Sequence, residues 1–167
     1  MTWICQKLAA CGDRIACYEA GKAWSYAELI ELIDHAATRV PSKGAAVIEV
    51  QAPTTIEGLA MLLAIGETGH IALPLPPELP EAEQDKMRLI ANSSQLYNQL
   101  EGSGLVLFSS GTSGEPKGML HDLDALLARY KNLSARKDRS LLLLLIDHIG
   151  GLGSAFSGLF SGSTLVV

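Results

Sequence analysis

Apolar residues change their spacing repeatedly along the chain, and each change predicts an element. Residues 2–10 predict a short helix that breaks at Gly12. "IACYEA" and "AWSY" flank Gly21-Lys22 and predict a hairpin, because short alternating runs around a turn pair favour one. Ser25 and Glu28 have the S-x-x-E spacing of a capping box, so a helix opens at Ser25. Leu29, Ile30, Leu32, Ile33, Ala36 and Ala37 form its apolar stripe, and Pro41 and Gly44 stop it.

The pattern then alternates. "AAVIEVQ" predicts a buried strand, and "TTIEGLAMLLAIGETG" a helix from near Thr54 to near Gly69. "HIALPLP" predicts a strand whose prolines limit its pairing. Proline-rich turns lead into a helix that closes near Asn92. "GLVLFSS" predicts a strand, and residues 122–135 a helix with Asp122 as N-cap and Leu123, Leu126, Leu127 and Tyr130 on its buried side. "SLLLLLI" predicts a strand buried on both faces. "GGLGSAFSGLFSG" predicts a small-residue helix packed closely on a sheet, and "STLVV" a final strand. This order predicts an α/β layered fold: a mostly parallel sheet flanked by helices.

Composition narrows the classes. The 167 residues fit one compact domain or a large piece of one, and with 48% apolar residues they can bury a sizeable core. The net charge is -5, and "RKDR" (Arg136 to Arg139) is broken by Asp138, so nucleic acid is not the expected partner. Cys5, Cys11 and Cys17 match neither a zinc site nor a disulfide framework, which predicts free structural thiols in a reducing compartment. Lys7 interrupts a short N-terminal apolar stretch, unlike a secretory signal, and "LLLLLI" is too short to cross a bilayer. The expectation is a soluble, cytoplasmic protein without a membrane partner. The apolar "TLVV" close suggests that further material covers that strand.

One stretch is unusual. "LFSSGTSGEPKGMLHD", residues 107–122, carries four hydroxyls, three glycines and a lysine between apolar runs. Glycines allow positive φ and close backbone approach to a ligand, successive N–H groups can cup an anion, and Lys117 adds a point charge. A phosphate cradle and a plain hairpin turn both fit, and composition leaves the two open. Walker A is excluded, because no glycine precedes Lys117 and no hydroxyl follows it.

S-S-G-T-S-G-E-P-K-G resembles, at all ten positions, the [ST]-[ST]-G-[ST]-[ST]-G-x-P-K-G signature of the adenylate-forming superfamily. That group includes acyl-CoA synthetases, peptide-synthetase adenylation domains and luciferases. "AWSYAELIELIDHAATRV", "LAMLLAIGETGHIALPLPPELP" and "DHIGGLGSAFSGLFSGSTLVV" are similar to further segments of the family, so the likeness runs from about Trp24 to Val167.

The resemblance implies activation of a carboxylic acid, acyl or aryl, by ATP to an acyl-adenylate, with the acyl group then passed to CoA or an acyl carrier protein. It implies that Thr112, Ser113, Gly114 and Lys117 hold the β- and γ-phosphates, with Ser109, Ser110, Gly111 and Gly118 completing the loop. Mg2+ rides on the nucleotide, and no protein metal site is implied; His121, Asp122 and Asp124 read more simply as helix capping. His148 matches the position that lines or gates the acyl pocket, and its place after a strand, before Gly150-Gly151, puts it where α/β folds bind ligands; a capping or core histidine is the alternative. Lys117 and His148 are thus the candidate catalytic residues. Asp147 either orients His148 or caps the next helix.

The family's Tyr-Gly-x-Thr-Glu and Thr-Gly-Asp segments and its C-terminal lysine do not occur in this sequence. Residues 1–167 are therefore expected to form one partial N-terminal subdomain of an AMP-binding domain, lacking the rest of the large domain and the lid domain. A chain of this kind needs the remainder of its enzyme or a partner subunit, and alone it is expected to be inactive. The competing expectation is a non-catalytic split relative that docks through an uncovered sheet edge.

Overall fold

The computed structural model describes residues 2–51, 54–93, 101–110 and 116–167. Helix α1 (Trp3–Ala9) precedes the hairpin β1 (Ile15–Glu19) and β2 (Lys22–Ser25). Its turn is one residue earlier than expected: Ala20 and Gly21 both have positive φ, 47° and 81°, the combination that matches strand twist in a two-residue hairpin. Helix α2 (Tyr26–Ala37) opens as its sequence requires, with Ser25 Oγ accepting from Glu28 N–H and Glu28 accepting from Ser25 N–H. Tyr26, Leu29, Ile33 and Ala36 are its buried stripe.

Strand β3 (Val47–Gln51), helix α3 (Ile56–Ile65, capped by Thr55), strand β4 (Ile71–Leu75) and helix α4 (Glu81–Ala91) follow. Strands β5 (Gly104–Ser110) and β6 (Pro116–Asp122) form an antiparallel hairpin in register from Gly104↔Asp122 to Ser110↔Pro116. Helix α5 (Leu123–Ala128) is shorter than the predicted 122–135, although Asp122 caps it by accepting from Ala125 N–H. Strand β7 (Arg139–Leu141), helix α6 (Ile149–Ser161) and strand β8 (Thr164–Val166) complete the order.

Two four-stranded sheets result, ordered β2-β1-β8-β7 and β3-β4-β5-β6, each with two parallel ladders and one antiparallel hairpin. The fold class is the mostly parallel α/β arrangement that the alternation predicts. β3 departs from expectation: as an edge strand it buries only Val50. β8 departs too. It lies between β1 and β7, so the open edge of its sheet is β7.

β4 is buried at every residue. Ile71, Leu73 and Leu75 meet Met87 and Ala91 of α4, with Val106 of β5 on the same side. Ala72, Leu105 and Leu107 turn the other way into the main core of α1, α2, α3, α5 and α6, as strand alternation dictates. Arg88 ties α4 to the edge of the sheet through Glu49 at 2.9 Å. Beside the other sheet, Tyr26 of α2 donates its Oη–H to Ser163 O at 2.7 Å, and burial raises its phenol above the ordinary range. Cys5, Cys11 and Cys17 are free; burial first, then Glu19 and Glu57, push the Cys17 thiol up to about 12, so it is an inert core group.

The predicted strand "SLLLLLI" is largely overturned. Only Arg139–Leu141 pair, and Leu143, Leu144 and Leu145 are 80%, 55% and 51% exposed, with Ile146 alone buried. The small-residue helix packs as closely as its composition requires: a Cβ on Gly151 would stand 2.0 Å from Leu145 O.

Candidate functional site

The β4–β5 ladder contains only Ile71↔Gly104 and Ala72↔Leu105, while β3 pairs with β4 over its whole length. Beyond Ala72 the two strands separate, as expected beside Pro74, which has no N–H to give. A cavity of about 310 Å³ opens at their carboxyl ends, lined by Pro74, Pro76, Met87, Phe108, Ser109, Asp147 and His148 among others. Carboxyl ends of parallel strands are where open α/β sheets bind ligands.

A second cavity, about 270 Å³, shares Leu107, Phe108, Ser109, Asp147 and His148 with the first and adds Met119, His121 and Ile149. It lies between the hairpin and the segment 147–149. Leu107 and Ser109 alternate on β5, and Lys117, Met119 and His121 share one face of β6.

The sequence-predicted residues fall into three groups. Ser109 and His148 line the same two cavities. Lys117 stands exposed on β6 opposite Ser109, and Gly118 stands opposite Phe108; neither lines either cavity. A side chain at Gly118 would meet Ile90 and Phe108 at 2.9 and 3.3 Å, so this glycine lets α4 lie against the hairpin. Gly111, Thr112, Ser113 and Gly114 lie outside the described residues, and of Ser110 the backbone is described, as the last residue of β5. β5 and β6 pair up to Ser110↔Pro116, on either side of residues 111–115.

His148 is neither a core nor a side-chain-capping histidine. Its side chain is 63% exposed, and it occupies the N-cap position of α6 without a capping hydrogen bond. Asp147 is 18% exposed and lies 3.8 Å from His148 Nε2, too far for a hydrogen bond. It therefore neither holds that ring nor fills the N-cap position.

The acids after the loop are used in the scaffold. Asp122 caps α5, while Asp124 accepts from Glu67 N–H at 2.7 Å and from Ser103 N–H at 2.9 Å, joining the turn after α3 to the start of β5. Among the described residues no group of three His, Cys, Asp or Glu side chains is placed to hold a metal. Sequence reasoning passed over His70. It is buried, its Nδ1 accepts from Ala46 N–H, and its Nε2 donates to Pro41 O at 2.8 Å, so it braces the loop before β3.

Comparison with known proteins finds relatives in sequence and in fold. No family model matches the chain. It is 25% identical, over 97% of its length, to a probable non-canonical nonribosomal peptide synthetase, CymA, of Salinispora arenicola, of which it covers 2%. It is 33% identical, over 59% of its length, to 2-succinylbenzoate–CoA ligase of Bacillus pumilus, of which it covers 21%. These relatives, a peptide synthetase and a CoA ligase, are in line with the adenylate-forming superfamily that the loop signature resembles. The chain has the fold of that superfamily's N-terminal subdomain. The Klebsiella oxytoca NpsA N-terminal subdomain in complex with 3-hydroxyanthranilyl-AMSN superimposes with a TM-score of 0.74 at 20% identity, over 98% of this chain and 51% of that one. O-succinylbenzoate coenzyme A synthetase (MenE) of Bacillus subtilis, in complex with ATP and magnesium ion, gives 0.69 at 17% identity, over 99% of this chain and 56% of that one. The chain thus spans a small part of these curated relatives and about half of these solved chains. Among its described residues no helix is long and apolar enough to cross a membrane.

Proposed function

We propose that the chain is the N-terminal part of an ATP-dependent carboxylate-activating ligase. The observation that carries this reading is a full ten-residue signature running from the end of β5 to the start of β6, whose Ser109 lines, with His148, a cavity at the carboxyl ends of β4 and β5. The relatives named as a peptide synthetase and a CoA ligase support it.

ATP with Mg2+ supplies the electrophilic α-phosphorus and the pyrophosphate leaving group. Thr112, Ser113 and Gly114 offer hydroxyl and N–H donors to its terminal phosphates, and exposed Lys117 neutralises them as a point charge. Mg2+ reaches the site on the nucleotide. Ser109 lies where the loop meets the cavity, and His148 lines the side where the acid's body sits. The task of these groups is to hold the carboxylate in line with the phosphorus and to balance charge. The acyl group then passes to CoA or an acyl carrier protein, on parts of the enzyme this chain does not span.

Titrating ATP–Mg2+ into the 167-residue chain tests the reading. Binding that weakens about tenfold in Lys117→Ala and in Thr112→Ala is expected; equal binding by all three would remove the loop from the mechanism. Pyrophosphate exchange by the chain alone is expected to be absent, and robust exchange would show that the fragment is self-sufficient.

A second reading has its own observation. Leu143, Leu144 and Leu145 are exposed beside the open edge of β7, an apolar surface and a strand edge that invite a partner. The remainder of its own enzyme satisfies both readings; a separate subunit would make the chain a non-catalytic docking module. Co-purification of the native chain from its source separates them.

A further inference from the structure

A turn from Leu145 to His148 is closed by His148 N–H donating to Leu145 O at 3.3 Å. Three cavities use it as a wall. Asp147 and His148 line the cavities of about 310 and 270 Å³. Leu145 and Asp147 line a third, of about 220 Å³, with Thr54, Thr55 and Glu78 among its other walls. Where this turn stands therefore sets where His148 stands.

The segment's own side chains do little to fix it. Leu143, Leu144 and Leu145 are exposed, and Ile146 alone is buried. Contacts from elsewhere in the chain hold it. Gly151 has no side chain, which lets α6 lie close to the Leu144 and Leu145 carbonyls. From the loop after β3, Thr54 Oγ1 accepts from Ile146 N–H at 3.1 Å. That bond crosses from the β3–β4–β5–β6 side of the molecule to the segment that leads from β7 to α6.

Thr54 is well placed to carry it. It lies one residue before the N-cap of α3, where Thr55 Oγ1 accepts from Gly58 N–H at 3.0 Å and Glu19 of β1 accepts from Ile56 N–H at 3.1 Å. This short stretch is thus tied both to its own helix and to the other sheet, and a β-branched side chain has few rotamers to choose from. An amide that loses its acceptor away from water is costly, so without Thr54 Oγ1 the turn would have to shift.

We propose that Thr54 is a positioning residue: its hydroxyl fixes the 145–148 turn and, through it, the place of His148 over the two cavities beside the hairpin. The inference deepens the carboxylate-activating reading, and rests on it only for what His148 does there, which is to touch the acid.

Hydrogen exchange and NMR of the 167-residue chain test the proposal with two variants. Thr54→Val keeps the shape and loses the acceptor; Thr54→Ser keeps the acceptor. In Thr54→Val the Ile146 amide is expected to exchange about fivefold faster, and the His148 ring signals, assigned by their loss in His148→Ala, to move. Thr54→Ser is expected to return both to their wild-type values. Binding is read with benzoate and octanoate as probes. For a probe that His148→Ala weakens, Thr54→Val is expected to weaken binding about threefold, within the loss in His148→Ala, and the double variant to bind no worse than His148→Ala alone. The proposal is overturned by an Ile146 amide or His148 signals unchanged in Thr54→Val, by Thr54→Ser behaving as Thr54→Val does, or by losses that add in the double variant. Should Thr54→Val lose its native spectrum, Thr54→Ala is read in its place. If neither probe binds, or if His148→Ala binds both as well as the wild type, the acid role of His148 falls, while exchange and ring signals still decide on Thr54.

Discussion

Two five-residue apolar runs in this chain meet opposite fates. Ile71–Leu75 is buried at every position, between β3 and β5 and beneath α4. Leu141–Leu145 is the more hydrophobic run, yet four of its five leucines are exposed. The first has strands on both sides and helices on both faces; the second lies at and beyond the edge of its sheet. Hydrophobicity reports that a segment gains by being covered. It does not report what covers it.

Leu73→Ala should be the most damaging way to probe that contrast. It removes a fully buried side chain from between the sheet and α4 and is expected to cost about 2–5 kcal/mol, while Leu143→Ala should stay within about 0.5 kcal/mol, both by urea unfolding. Similar values would mean that the leucine run is packed in solution.

Next in size is Gly151→Ala. Its Cβ would press on the backbone of Leu144 and Leu145, at 2.0 Å from the nearer carbonyl, and overpacking of this kind costs about 1–3 kcal/mol. Gly150→Ala meets only the flexible end of Leu144 at 3.3 Å and should cost less than half as much by the same measurement.

Ser25→Ala should remove about 1 kcal/mol by opening the capping box. The pH dependence is expected to be smaller still, with two glutamates of opposite sign. Hydrogen bonds from Ser25 hold the Glu28 carboxyl below its ordinary value, so its contribution is present above the unfolded pKa of about 4.5 and fades as pH falls through the lower, folded value. Burial raises Glu19, even though Ile56 N–H bonds to it, so its ionisation costs stability as pH climbs from 4.5 toward the raised value. Glu28→Gln should flatten the acid limb of a stability–pH curve, and Glu19→Gln should steepen it.

Local signals were read correctly where local chemistry decides. The capping box, the Asp122 cap and most of the apolar stripe of α2 (Ala37 is exposed) all act within a few residues of themselves. The misreadings concern neighbours far away in the chain. β3 is half exposed because it is an edge strand, and β8 is internal because β1 and β7 flank it. The site followed the same rule. Ser109 and His148, both named from the sequence, line the same two cavities, but only the fold shows that Asp147 neither caps α6 nor bonds the His148 ring.

The seat of β8 beside β1 also sets the order of assembly. Cys17 pairs with Leu165 across nearly the whole chain, so the first hairpin leaves the ribosome long before its inner neighbour exists. Such a long closure slows folding, and the waiting edge of β1 is a standing hazard for mispairing during synthesis. Deleting the last four residues should therefore damage the beginning of this protein more than its middle.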